Sequence, residues 1–90
     1  MEPEQVWQLA SQLRDEKEKL YGKDSWRELG LDGCLEASTR KAVYLKAQEK
    51  STGPNTPKFA EDLLDLINWA TFTYCIVEEN NHELRQTSKG

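Results

Sequence analysis

The sequence predicts an all-α fold: three helices in one chain, with a short helical turn in the first loop, assembling into a helical-bundle oligomer. Apolar residues recur at spacings of three and four along three separate segments, as in amphipathic helices. Glycine and proline are concentrated in the two segments between them. A length of 90 residues allows one domain, which we expect to cover residues 1–82, with residues 83–90 as a flexible polar tail.

The first helix is predicted to run to about Leu20, because Pro3 is tolerated in a first helical turn and a one-sided stripe follows it. That stripe consists of Val6, Leu9, Ala10, Leu13, Lys17 and Leu20, with Lys17 contributing its aliphatic stem. The charged run 14–19 is otherwise expected to face water. Residues 21–33 contain three glycines and predict a structured loop, with one helical turn around Ser25 to Leu29.

The second helix is predicted from Asp32 or Gly33 to Lys50. Its expected inner side consists of Leu35, Ala42, Leu45 and Glu49. The segment 51–57, STGPNTP, ends it.

The third helix is predicted from Pro57 or Lys58 to about Glu79, a length of about 33 Å at 1.5 Å per residue. Its apolar face consists of Phe59, Leu63, Leu66, Ile67, Ala70, Tyr74 and Val77. Because 11 of the 15 residues from Leu63 to Val77 are apolar or aromatic, more than one side of this helix needs cover. We therefore expect it to be the central strut and to pair with its copy in a dimer.

Composition supports self-association and argues against general nucleic-acid binding. Ordering the chain costs on the order of 135 kcal/mol, while only 37% of its residues are hydrophobic and the mean hydropathy is -0.83. An isolated monomer should be marginally stable. The 12 basic and 16 acidic residues give a net charge of -4 and a pI near 5.0, unlike a protein that binds many phosphates.

Three further observations predict a cytoplasmic location without membrane contact. Cys34 and Cys75 stand apart, with no CxxC pair or histidine cluster, which predicts reduced, buried thiols. The first residues lack the basic and apolar regions of a signal peptide. The longest apolar stretch, residues 63–77, is too short and too polar to span a bilayer.

An acidic row marks the third helix. Asp62, Asp65 and Asn68 are three residues apart and share a face, and Glu61 adjoins Asp65. Carboxylates among leucines need a partner, either a cation such as magnesium, bound by Asp62 and Asp65, or a basic side chain. The alternative for Glu61 and Asp62 is a favourable interaction with the helix dipole at the N-terminal turn.

Basic residues on the second helix complement this row. Arg40, Lys41 and Lys46 would either form salt bridges or hold a phosphate-bearing ligand, directly or through magnesium. In the first loop, Tyr21, Lys23 and Trp26 mix rings with a cation, as in sites that stack on a base and reach a phosphate. Trp26 is equally suited to plugging the core.

Several common catalytic arrangements are missing from the sequence. It contains no Walker loop and no GxGxxG. The lone histidine, His82, has no matching Cys, Ser or Asp arrangement, so a histidine-based nucleophilic mechanism is not expected.

Three segments together resemble the small all-α phage proteins called nucleotide modification associated domain, first type. They are KLYGKDSW at 19–26, GCLEASTRKAVYLK at 33–46 and EDLLDLINWA at 61–70, within a resemblance covering about residues 10–78. The resemblance implies a phage protein of the host cytoplasm that binds a nucleotide-derived molecule. Sequestering a host defence signal would be an anti-defence role.

The third helix is more distantly similar to the second acidic motif of all-α, MazG-like nucleoside triphosphate pyrophosphohydrolases, which bind magnesium and dimerise through helical bundles. Asp62 and Asp65 match its ExxD spacing, with Asp in place of Glu. The first motif, ExxE, is replaced by basic residues, with Glu36 and Glu49 too far apart to substitute. This departure disfavours metal-dependent hydrolysis.

Three hypotheses follow, in order of preference. The first is a non-catalytic module that binds a nucleotide or nucleotide-derived signal. The second is a magnesium-dependent pyrophosphohydrolase, with Glu61 or Glu36 completing the site from another subunit. The third is a structural adaptor in which the charged rows fix helix register. No catalytic residue is assigned; the predicted ligand-binding residues are Tyr21, Lys23, Trp26, Arg40, Lys41, Lys46, Asp65 and Asn68.

Overall fold

The computed structural model contains three helices: α1 (Pro3–Tyr21), α2 (Trp26–Ser51) and α3 (Pro57–Lys89). It describes the backbone of residues 1–89 and the side chains of residues 1–81. No strand occurs in residues 1–89, which confirms the all-α, three-helix prediction. Helix α3 continues beyond the predicted end near Glu79, and the predicted polar tail, 83–90, lies outside the residues whose side chains are described.

Helix α1 begins and ends with recognisable capping devices. The backbone N–H of Glu2 donates to the Gln5 side chain at 2.7 Å, and Pro3 occupies the first helical position. Gly22, at a φ of 90°, ends the helix and donates its N–H to the Glu18 carbonyl at 2.8 Å. The predicted stripe is only partly covered, because Ala10 is buried whereas Leu20 is exposed.

Helix α2 is interrupted at Gly30, whose φ of 67° and ψ of -173° are not helical. The predicted helical turn at Ser25 to Leu29 is therefore present as the first turn of α2, and the main helix follows the kink. An L-residue rarely adopts this backbone conformation, which is nearly restricted to glycine.

Gly30→Ala should lower the free energy of unfolding by about 1 to 2 kcal/mol, measured by urea denaturation. The cost is backbone strain alone, because an added Cβ would meet no heavy atom within 4 Å. D-alanine at position 30, introduced by chemical synthesis, is the matched control. It favours this mirror-image extended conformation and should not destabilise. Equal destabilisation by both alanines would contradict the strain argument.

Of the four residues predicted on the inner side of α2, Leu45 is buried as predicted, and the other three are exposed because the helix is rotated. The structure buries Cys34 and Leu45 but leaves Leu35 48% exposed. Ala42 and Glu49 are exposed too. The helix instead turns Lys41 and Gln48 towards α3, where they meet a buried carboxylate. Ion pairing across the helix interface thus overrides the apolar pattern.

Helix α3 is the central strut, as predicted: α1 and α2 each pack against it and, in the described part of the chain, not against each other. Near the start of α2, the Trp26 ring stacks on Phe72 with centroids 4.6 Å apart. The molecule measures 54 × 28 × 23 Å, and its radius of gyration is 15.4 Å. About 12 Å is expected for a compact chain of this length, so the fold is elongated and open between α1 and α2.

Both cysteines are free thiols. Cys34 is fully buried, its Sγ donates to the Trp26 carbonyl at 3.6 Å, and burial raises its pKa. Cys75 is half-buried. Among the described residues, no helix has the length and apolar character needed to cross a membrane.

Candidate functional site

The acidic row of α3 faces the other two helices. Asp62, Asp65 and Asn68 are only 1%, 6% and 6% exposed. The three-residue spacing places them on one face of α3, as predicted. Buried polar groups of this kind need partners, and those partners define the site.

Three donors surround the Asp62 carboxylate. Gln48 Nε2 donates at 2.6 Å, Lys41 Nζ at 3.2 Å, and Lys58 Nζ reaches both oxygens at 3.0 Å. Burial by itself would raise the pKa of Asp62, but the hydrogen bonds from Lys58, Gln48 and Lys41 outweigh it and lower the pKa to about 2. Sequence analysis counts Lys58 among the basic residues that complement the acidic row but does not pair it with Asp62, although its position four residues before Asp62 is a pairing signal.

Lys41 connects the two carboxylates. Its Nζ lies 3.2 Å from Asp62 Oδ1 and 3.0 Å from Asp65 Oδ2, and its side chain is 23% exposed. Desolvation opposes its charge, but the hydrogen bonds to Asp65 and Asp62 prevail and raise the pKa of Lys41. Lys17, from α1, approaches Asp65 Oδ1 at 3.6 Å. The resulting network joins all three helices.

Asn68 completes the row. Its Nδ2 donates to the Ala10 carbonyl of α1 at 2.9 Å. Its Oδ1 is buried, and no described group donates to it. Unpartnered buried acceptors are rare in folded proteins, so this oxygen is a candidate for a partner outside the chain.

A cavity of about 570 Å³ lies between α1, the first turn of α2 and α3, with Asp65 and Asn68 in its lining. Its aromatic lining residues are Tyr21, Trp26, Trp69 and Phe72, and its cationic lining residues are Arg14, Lys17 and Lys41. This volume is within the range of about 300 to 1,000 Å³ typical of small-molecule sites.

Trp26 closes the helix junction. It is 8% exposed, with Phe72 stacked at an interplanar angle of 8° and the Arg27 Cζ 4.4 Å from the ring centroid. Arg27 is in turn held by a salt bridge to Glu79. Because Phe72 and Arg27 already pack against the Trp26 ring, the geometry favours the alternative in which Trp26 fills the core. Tyr21, 70% exposed, presents a freer ring.

The structure brings together five of the predicted ligand-binding residues, which are Tyr21, Trp26, Lys41, Asp65 and Asn68. Lys23, Arg40 and Lys46 are exposed and do not line the cavity. Arg40 lies near Glu36 of its own helix, 3.9 Å away. Asp62 instead borders a second, more open hollow of about 590 Å³, together with Gln48 and Lys58.

Sequence analysis missed the contribution of α1. Arg14, Lys17 and Glu18 line the cavity, although the charged run 14–19 was expected to face water apart from the Lys17 stem. The available signal was the position of Lys17 within the apolar stripe, which placed it on the inner side of α1.

The carboxylates do not fit a magnesium site in this arrangement. Asp62 and Asp65 are already neutralised by ammonium groups, and magnesium prefers octahedral oxygen ligands with several waters. No group of three His, Cys, Asp or Glu side chains within residues 1–81 is placed to hold a metal ion. Glu61 is exposed and Glu36 lies beside Arg40, so neither joins the pair within one chain.

Comparison of the chain with protein-family models, curated proteins and solved structures found no match.

Proposed function

We propose that this chain binds a nucleotide or a nucleotide-derived small molecule in the cavity between α1 and α3, and holds it without cleavage. The observation that carries the proposal is the convergence of cationic side chains and aromatic rings on one cavity of suitable volume. Rings pack against a base and cations hold phosphate oxygens.

The cations have capacity to spare for an anion. Lys17 and Lys41 share the Asp65 carboxylate. Arg14 donates to the Ser11 hydroxyl at 3.1 Å and has no carboxylate within 4 Å among the described residues. A guanidinium in this situation can grip a phosphate with two parallel hydrogen bonds, since its planar fork matches phosphate geometry.

The remaining lining suits the ring portion of such a ligand. Tyr21 and Trp69 offer apolar surface at the wall, and the Asn68 amide lies in the lining with an oxygen that still lacks a donor. A base edge carries N–H donors, so it could supply that missing hydrogen bond after a small side-chain adjustment.

Capture is preferred over hydrolysis because Asp65, the buried carboxylate in the cavity lining, is ion-paired with Lys17 and Lys41. Activation of water by a metal would need free carboxylate ligands. If the resemblance to the phage family is correct, the biological role is removal of a nucleotide signal used in host defence.

A thermal-shift screen should find a stabilising ligand among nucleotides, dinucleotides and cyclic ADP-ribose-type molecules, each tested with magnesium and with EDTA. Binding to the folded state raises the melting temperature by mass action. Chromatography should recover the ligand intact. Arg14→Met and Lys17→Met should each weaken binding about 10- to 100-fold, the effect of losing a hydrogen bond to a charged group. The control, Lys46→Met, removes an exposed lysine outside the cavity and should leave affinity unchanged.

Two other results would overturn capture. EDTA-sensitive conversion of the ligand to a monophosphate would establish the magnesium-dependent pyrophosphohydrolase. Absence of any shift across the screen would favour the structural adaptor, with Lys41, Asp62 and Asp65 fixing helix register alone.

A further inference from the structure

The single chain exposes more surface than a compact protein of its size. Its accessible area is 6816 Å². A folded monomer of 10.4 kDa exposes about 5,400 Å². Taken over the whole chain, the excess is roughly 1,400 Å². Among the described residues, the exposed apolar side chains Leu63, Tyr74 and Val77 of α3 contribute to the accessible area.

Helix α3 presents an apolar seam on its outer side. The seam consists of Leu63, Ile67, Ala70, Tyr74 and Val77, at successive intervals of four, three, four and three residues. Leu63 is 42% exposed, Tyr74 69% and Val77 37%. A strict alternation of three and four averages 3.5 residues, the period by which one helix packs along another in a coiled coil.

The seam lies opposite the candidate site. At about 100° per residue, the seam positions are centred roughly half a turn around α3 from Asp65. Neither α1 nor α2 covers Tyr74, although both pack on the face of α3 that carries Asp65 and Asn68. A partner on the seam would therefore leave the cavity open.

The flanks of the seam favour an identical partner. The chain carries no charged residue from Leu66 to Val77, about 18 Å of helix at 1.5 Å per residue. Charged flanking positions set partner choice through salt bridges or repulsion between helices. Along this stretch the flanks are Leu64, Leu66, Thr71 and Thr73, and a flanking carboxylate, Glu78, follows only at the C-terminal end of the seam, so two copies can approach along it.

We propose that a second copy of this chain covers the seam, giving a two-fold symmetric dimer in which the two α3 helices pair. In a two-fold symmetric dimer the same surface patch of each copy forms the interface, so the seam has to be complementary in shape only to itself. Ala70, at its midpoint, allows close approach of the two helices while the larger residues interdigitate on either side. The dimer places its two cavities on outer faces, each complete within one chain.

Sedimentation analysis of the full chain over a range of concentrations tests this proposal. The wild-type chain should sediment as a dimer. Tyr74→Glu should raise the dimer dissociation constant at least about 30-fold, the effect expected for a central interface residue. Tyr74→Leu, which keeps the seam apolar, should remain dimeric. Val43→Glu is the matched control, because Val43 is 58% exposed on α2 and outside the seam.

Circular dichroism should show that the Tyr74→Glu chain keeps its helical content. A wild-type chain that is monomeric at all concentrations would overturn the proposal. So would a dimer that survives Tyr74→Glu, or one that Val43→Glu dissociates equally. An assembly larger than a dimer supports the seam as an interface only if Tyr74→Glu dissociates that assembly. These outcomes are independent of ligand binding, since the seam and the cavity share no residue.

Discussion

Replacing Lys41 with methionine is expected to lower the free energy of unfolding by about 2 to 3 kcal/mol, the loss of hydrogen bonds to charged groups. Asp62 keeps Lys58 and Gln48, and Asp65 keeps Lys17, so neither carboxylate is left without a partner. Methionine keeps most of the aliphatic stem, so the loss is one of charge rather than of volume. The substitution leaves Asp62 and Asp65, both nearly fully buried, without the ammonium group that bridges them. Removing one partner of a buried ion pair is costly because the remaining charge cannot regain its hydration.

Urea denaturation at fixed protein concentration measures this effect, and holding concentration constant matters because association adds to apparent stability. Lys46→Met is the matched control: it makes the same change on the same helix at an exposed position and should alter stability by less than about 0.5 kcal/mol. Adding Asp62→Asn and Asp65→Asn to Lys41→Met should recover part of the loss, since two buried carboxylates that have each lost one of their cations become neutral. A loss below about 1 kcal/mol for Lys41→Met would show that the network contributes little to helix packing.

This network also shows where sequence reasoning succeeds on this chain. The acidic row could be predicted because its spacing within a single helix fixes a shared face. The need of Asp62 and Asp65 for cations followed from elementary electrostatics. Local rules of this kind also predicted the helical turn around Ser25 to Leu29, although the loop predicted over residues 21–33 is in the structure helical from Trp26, with a kink at Gly30.

The choice among cations could not be predicted in the same way. Arg40, Lys41 and Lys46 are equivalent in the sequence, and only the rotation of α2 decides which of them meets α3. The apolar pattern of α2 predicted a rotation that buries Leu35 against α3. In the structure Lys41 faces α3 and pairs with two carboxylates, and Leu35 is exposed. Which cation pairs with the carboxylates depends on how the two helices pack and cannot be read from either helix alone.

The contribution of α1 to the cavity was hidden for a related reason. Charged runs on helices usually face water, and Arg14 carries no local signal to the contrary. It lines the cavity because α1 and α2 pack on α3 without closing on each other. The apolar spacing within one helix cannot predict a gap between two helices that do not contact each other.

Acidification should remove about 2 kcal/mol of stability through Asp62 between about pH 4 and pH 2. Its pKa is lowered from 3.8 to about 2 in the folded protein, and each pKa unit corresponds to about 1.4 kcal/mol. Because the folded pKa is the lower one, the unfolded chain binds the proton first as pH falls. The contribution is complete above the unfolded value and disappears as pH falls through the folded value.

Urea denaturation of the wild-type and Asp62→Asn chains at pH steps from 5 to 2 isolates this term, because the other carboxylates titrate in both. The difference in stability between the two chains should shrink by about 2 kcal/mol across the window. Asp15→Asn makes the same change at an exposed position of α1 and is the matched control. A constant difference between wild type and Asp62→Asn would mean that the three hydrogen bonds to Asp62 do not favour its charged form.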